Sequence, residues 1–208
     1  MDVALEKRQV ERAYELYAPV YDFIFDWIFA PGRSAAIQQL NLKPNETVLE
    51  VGIGTGLNLP LYPASCRLTG VDLSQEMLDK AVERAQKLAM PNVTLKVMDA
   101  TSMDFAENEF DKAVATYTIS AVPDPVAVLR EMRRVVKPGG ELVILNHFRS
   151  ESRLGSRLER LIAPFTLYLG FKSDLDLPAF LVQAGLKPIS IEKVNVPRIW
   201  SLVTCVKD

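Results

Sequence analysis

Residues 48–60 read VLEVGIGTGLNLP. The segment opens as a buried strand and then sets Gly52, Gly54 and Gly56 ahead of a helical pattern. Glycines there permit a sharp turn and let backbone N–H groups come close to a ligand. The spacing is G-x-G-x-G, one residue shorter than the G-x-G-x-x-G of dinucleotide binders. A plain tight turn explains three glycines as well, so the surroundings must decide.

Outward from this loop, apolar β-rich runs alternate with helical patterns. Strands are expected near 47–51, 67–71, 93–98, 110–116 and 140–146, with helices near 56–62, 74–89 and 123–136. Buried runs joined by helices imply a parallel sheet with crossover connections. A further helix at about 175–184 precedes LKPISIEKV (186–194) and IWSLVTCVK (199–207), which are joined across Asn195–Pro197. So short a connection allows only antiparallel pairing. The expected fold is an α/β protein with a seven-stranded, mostly parallel sheet and an antiparallel C-terminal hairpin. Residues 1–40 stand outside the alternation and read as helical, broken at Ala18–Pro19, because the residue before a proline disfavours helix. They are expected to cap a single 1–208 domain whose core occupies 45–208.

Two acidic residues add to the glycine loop. Asp72 ends the second strand in LTGVDLS, about twenty residues after the first glycine, where a carboxylate can accept from both ribose hydroxyls. Asp99 ends the third strand in VMDAT. Either aspartate alone also suits a turn or a helix cap, yet open parallel sheets bind ligands at this carboxyl edge. Together VLEVGIGTGLNLP, GVDLS, VMDA, FDKAVATYTIS, VVKPGGELVIL and the terminal hairpin resemble the Rossmann-like S-adenosylmethionine-dependent methyltransferases over about residues 45–208. The resemblance implies S-adenosylmethionine as cofactor and S-adenosylhomocysteine as product. It implies that Glu50 with Gly52, Gly54 and Gly56 shapes the methionine end, that Asp72 binds the ribose, and that Asp99 with Ala100 flanks the adenine. Leu73 and Tyr117 complete the implied cofactor set. A nicotinamide dehydrogenase fits worse, given the glycine spacing and the reversed terminal strand.

Composition narrows the partners. Lys plus Arg is 24 and Asp plus Glu is 26, a net charge of −2, which argues against a general nucleic-acid binder while leaving room for a local basic patch. Cys66 and Cys205 are far apart and lack metal-ligand spacing, so no metal site and no disulfide framework are expected, and a reducing cytoplasm is the default. The start, MDVALEKRQVER, has no apolar signal-peptide core. The oily run Leu161–Phe171 is interrupted by Pro164 and is shorter than the roughly 18 residues a spanning helix needs. Lying on a membrane surface is still compatible with these features.

A methyl acceptor has only to be held in line with the sulfonium methyl. An amine must first lose a proton, since an alkyl ammonium titrates at about 10, and its fully methylated product suits aromatic faces. AYELYAPVYDF places Tyr14, Tyr17 and Tyr21 near one helical face, Tyr117 and Thr118 follow the fourth strand, and Asn146 and His147 follow the fifth. A helix packed on the domain explains the tyrosines equally, and His147, the only histidine, fits a loop position with no role. In HFRSESRLGSRLERLIAPFTLYLGFK (147–172), Arg149, Arg153, Arg157 and Arg160 fall within about 80° on a helix. Neither Glu151 nor Glu159 stands three or four positions from an arginine, so no helical salt bridge neutralises the row. Arginine suits phosphate, although a solvated face accounts for a charge run too. YDFIFDWIFAPGR (21–33) is a second amphipathic candidate for a lipid interface or a lid.

AYELYAPVYDFIFDWIFAPGR, TYTISAVPDP and ILNHFRSE, with APFTLYLGF behind, are similar to the bacterial phosphatidylethanolamine N-methyltransferases. That resemblance covers essentially the whole chain, is densest from Ala13 to Asn146, and thins after Lys172. It implies stepwise methylation of a phospholipid headgroup amine by a cytoplasmic protein docked on the inner face of the membrane, with anionic lipids as recruiting partners. On this reading Tyr17 and Tyr21 enclose the amine, Tyr117 lies near the transferring methyl, and His147 contacts the headgroup or relays a proton. Arg149, Arg153, Arg157 and Arg160 then meet phosphate or membrane. A C-methyltransferase for a lipophilic quinone precursor is the alternative.

Overall fold

The computed structural model describes residues 29–148, 176–195 and 200–208. Helix α1 is described over 29–39. After it come β1 (Thr47–Val51), a single 3-10 turn at Leu59–Leu61, β2 (Arg67–Asp72), α2 (Gln75–Lys87) and β3 (Val93–Val97). Then follow β4 (Phe110–Thr116), α3 (Pro125–Val135), β5 (Val136–His147), α4 (Leu177–Ala184), β6 (Pro188–Val194) and β7 (Trp200–Val206). The helix starts have local causes. Ser74, Asp124 and Asp176 each accept from the backbone N–H three residues on, at 3.3, 2.9 and 3.0 Å, satisfying donors that the first helical turn leaves open.

The seven strands run in the order β3-β2-β1-β4-β5-β7-β6. β1 through β5 pair in parallel, and β7 is antiparallel to both β5 and β6. The expected mixed sheet with a reversed C-terminal hairpin is therefore present, and β7 is threaded between β5 and β6. Strand order reverses between β1 and β4, which opens a crevice at their carboxyl ends. Side chains alternate across the sheet. Leu49, Val51, Ala113, Ala115, Leu142, Ile144 and Val203 join the core beneath α3 and α4. Val48, Val114, Val143, Leu145 and Leu202 join the opposite core with Ala36 and Ile37 of α1 and with Leu40 just after it.

Two boundaries differ from the sequence expectation. The helix expected at 56–62 is only the 3-10 turn, since Gly56 holds φ +77 and Pro60 lies in the first turn. β5 begins at Val136 rather than 140 because Val136 already pairs with Phe110. Its ladder then shifts register between Phe110 and Lys112, around Gly139 at φ +76.

Candidate active site

The crevice between β1 and β4 collects the candidate residues. Glu50, the penultimate residue of β1, is 1% exposed. Its carboxylate accepts from Asn58 Nδ2 at 2.6 Å and from the Tyr62 hydroxyl at 2.9 Å. Burial pushes Glu50 up from 4.5 to about 7, although both hydrogen bonds and the positive Arg33 work against the shift. Asn58 Nδ2 also donates to Thr116 Oγ1 at 2.9 Å. Both amide hydrogens are thus committed, and among the described residues its buried Oδ1 has no hydrogen-bond partner.

Gly52, Gly54 and Gly56 all lie at positive φ, between +56 and +77. A Cβ at Gly52 would overlap Thr118, whereas one at Gly54 would meet nothing within 4 Å. Gly54 N–H donates to Asp72 Oδ2 at 2.8 Å, and Ser74 N–H to Asp72 Oδ1 at 3.0 Å. Half-buried Asp72 is held above its usual range by desolvation, against those backbone donors. Beside it Leu73 is 55% exposed and faces solvent. Asp99 is exposed and accepts from Thr101 N–H at 2.8 Å and Thr101 Oγ1 at 2.7 Å. Ala100 packs against the core.

Across the crevice the materials change. Tyr117 sits at φ +59, a conformation costly for a bulky side chain. Its hydroxyl donates to the Phe29 carbonyl at 3.2 Å and accepts from Asn195 Nδ2 at 2.8 Å. Burial raises the phenol to about 12. The Phe29 ring meets Tyr117 edge-on at 4.7 Å and Trp200 at 5.1 Å. His147 ends β5 opposite Trp200 of β7. Asn146, fully buried, accepts from the Ser120 N–H at 3.3 Å and donates to the His147 carbonyl at 2.9 Å.

The structure thus brings Glu50, Gly52, Gly54, Gly56, Asp72, Tyr117 and His147 to one sheet edge. Tyr17, Tyr21, Arg149, Arg153, Arg157 and Arg160 lie outside the described residues. Sequence reading missed Asn58, Tyr62, Thr116, Asn195, Trp200 and Arg33. Asn58 and Tyr62 lie only eight and twelve residues after Glu50, but their spacing carries no signal of the contact. A separate apolar groove of about 590 Å³ between α2 and β3, lined by Val82, Ala85, Met90 and Leu95 among others, holds no titratable group and is no candidate for the chemistry. Among the described residues no acidic, histidine and cysteine group could hold a metal. No helix among them is long and apolar enough to cross a membrane.

Residues 49–144 match the methyltransferase domain family. The chain is 40% identical over 171 residues to the phosphatidylethanolamine N-methyltransferase of Cereibacter sphaeroides, covering 82% of this chain and 83% of that one. It is 28% identical to a 2-phytyl-1,4-naphtoquinone methyltransferase of a Nostoc species, covering 80% and 79%. Its fold matches that of Haemonchus contortus phosphoethanolamine N-methyltransferase 2, crystallised with phosphomonomethylethanolamine and S-adenosylhomocysteine. The TM-score there is 0.75 at 21% identity, over 96% of this chain and 59% of that one. A glycine loop at the switch point, an acidic second-strand terminus and this sheet order define a S-adenosylmethionine-dependent methyltransferase. Within that class, the chain belongs to the family of the Cereibacter phosphatidylethanolamine N-methyltransferase.

The residues present fit the cofactor. Gly54 leaves open space where a side chain would stand, Asp72 presents a carboxylate at the end of β2 beside the glycine loop, and the buried Asn58 Oδ1 is an acceptor without a partner among the described residues, so the edge can take a ligand that carries hydrogen-bond donors.

Proposed function

We propose that this enzyme N-methylates the headgroup amine of phosphatidylethanolamine and of its mono- and dimethylated forms, toward phosphatidylcholine. The observation that carries this reading is the 40% identity to the Cereibacter enzyme across four-fifths of both chains. When bound, S-adenosylmethionine supplies an electrophilic methyl together with its own leaving group. The protein's task is therefore to orient the amine, exclude water and receive one proton.

Glu50, Gly52, Gly54, Gly56, Asp72, Leu73, Asp99 and Ala100 hold the cofactor along the β1–β3 edge. On the acceptor side the Tyr117 hydroxyl is already engaged by Phe29 and Asn195 and is a poor base at neutral pH. Its ring is then the useful part. Together with Phe29 and Trp200 it offers the aromatic surface that a quaternary ammonium favours. Tyr17 and Tyr21 enclose the amine from the N-terminal side, and His147 contacts the headgroup or relays its proton. Arg149, Arg153, Arg157 and Arg160 take the phosphate and anionic lipid of a membrane surface to which the protein binds peripherally.

The test is transfer of labelled methyl from S-adenosylmethionine to liposomes containing phosphatidylethanolamine, with the lipids resolved afterwards. Labelled mono-, di- and trimethylated lipid is the expected result. No labelled lipid, with cofactor binding intact, would sink the reading and direct the assay to lipophilic quinone precursors, a second reading that the Nostoc relative favours.

A further inference from the structure

Three features that each work against stability meet at the Tyr117 hydroxyl. Tyr117 and Asn195 both hold φ +59, a left-handed backbone that a bulky side chain adopts only under restraint. The buried Asn195 Oδ1 has no hydrogen-bond partner among the described residues, and an orphaned buried acceptor is a net loss. In α1, Gly32 abuts the hydroxyl and the Asn195 amide so closely that any Cβ would collide with them. Strain of this kind persists where surrounding contacts over-determine it, and it gathers at functional sites.

The hydrogen bonds show what is being held. The Phe29 carbonyl can only accept, so the hydroxyl donates its single proton there, at 3.2 Å. That leaves the hydroxyl to accept on its other side, and Asn195 meets it with Nδ2 at 2.8 Å. Asn195 follows β6, and Trp200, the first residue of β7, packs edge-on against the Phe29 ring at 5.1 Å. The two arms of the terminal hairpin thus each hold one member of the Phe29–Tyr117 ring pair, whose centroids are 4.7 Å apart. Given an acceptor amine beside that pair, as proposed above, we infer that Asn195 is a positioning residue for methyl transfer. Its amide sets the direction of the Tyr117 hydroxyl and so fixes the orientation in which the Tyr117 ring meets the acceptor. The hairpin, which carries no part of the glycine loop, reaches the chemistry through this one hydrogen bond.

Steady-state transfer of labelled methyl to liposomes containing phosphatidylethanolamine tests it, with S-adenosylhomocysteine binding measured alongside. Asn195→Gly suits the left-handed backbone and deletes the amide. It is expected to lower kcat about 10-fold, the effect of one hydrogen bond felt in the transition state. The lipid KM and the affinity for S-adenosylhomocysteine should stay within about twofold of wild type. Asn195→Asp keeps the shape, but its carboxylate cannot donate. It is expected to lose kcat to a similar degree, and it carries the test should the glycine variant not fold. In a Tyr117→Phe background Asn195→Gly is expected to add nothing, because the group it acts through is gone. A wild-type kcat in either Asn195 variant would overturn the inference. So would a loss that falls on S-adenosylhomocysteine affinity instead of kcat, or losses that multiply in the double variant. A wild-type protein that labels no lipid overturns the acceptor reading itself, and the role of Asn195 falls with it. An active wild type with multiplying losses leaves that reading standing and removes Asn195 alone.

Discussion

The two halves of the sheet's carboxyl edge are made of different things. On the β1–β2 side the site is backbone and carboxylate, and its residues from Glu50 to Ser74 are neighbours in sequence. On the β4–β5–β7 side it is aromatic rings and amides, contributed by residues as far apart as Phe29, Tyr117, His147, Asn195 and Trp200. The first half is shaped by a local turn that any sequence window displays. The second exists only once α1, the β4 loop and the β6–β7 connection have met. A cofactor that never varies suits the former, and an acceptor specific to one enzyme suits the latter.

That contrast can be broken most directly within the glycine loop. Gly52→Ala combines left-handed strain with overlap on Thr118, and is expected to cost about 3 kcal/mol of folding stability. Gly54→Ala has open space around it and should cost only about 1–2 kcal/mol. Its effect should instead appear as weaker binding of S-adenosylhomocysteine. Urea denaturation and calorimetric titration of both variants separate the two effects. Equal stability losses would show that the loop is not divided in this way.

Glu50 gives a pH dependence whose sign follows from its raised value. In the unfolded chain it ionises around 4.5, in the folded protein around 7, so between those values the native state holds more protons. Stability is full below about 4.5 and declines as pH rises to about 7, by about 3 kcal/mol from this residue. Glu50→Gln should flatten that decline. Denaturation midpoints across the interval measure it, and an unchanged slope in the variant would assign the titration elsewhere.

Across the crevice, Tyr117→Phe removes a donor to Phe29 and an acceptor for Asn195 while keeping the ring. A loss of about 1–2 kcal/mol is expected. Combined with Asn195→Ala it should cost less than the sum, because the two share one bond. Additive losses would show that the hydroxyl does not join the two segments. The smallest effect is expected at Leu73→Ala. Its exposed side chain has area left for a ligand to cover, and a roughly threefold weaker affinity for S-adenosylhomocysteine follows.

The same division explains what could be read from sequence. β1 to β4 were legible to within a residue because each is a run rich in apolar and β-branched residues, and β1 and β2 are closed off by Gly52 and Asp72. Asp72 was legible because it sits a fixed distance from the loop. The early start of β5 was not, since Val136 becomes strand only through its pairing with Phe110, and a Pro-Gly-Gly sequence locally suggests a turn. The helix expected at 56–62 overran because helical spacing carries no warning of the left-handed backbone at Gly56. Asn58 and Tyr62 lie within twelve residues of Glu50, yet nothing in their spacing says that both side chains turn inward. Arg33 and Asn195 depend on contacts across most of the chain and leave no trace in any window.

The threading of β7 between β5 and β6 bears on how the protein is made. Of the seven strands β7 leaves the ribosome last, yet it occupies an inner place in the sheet and carries Trp200 to the ring cluster at its carboxyl edge. Until it arrives, β5 presents a bare edge, the kind of surface that pairs with stray chains. The β1–β2 half of the edge can assemble during synthesis, but the β4–β5–β7 half must wait. On the function proposed above, a nascent or C-terminally clipped molecule would therefore hold its methyl donor site ahead of any means to choose a recipient.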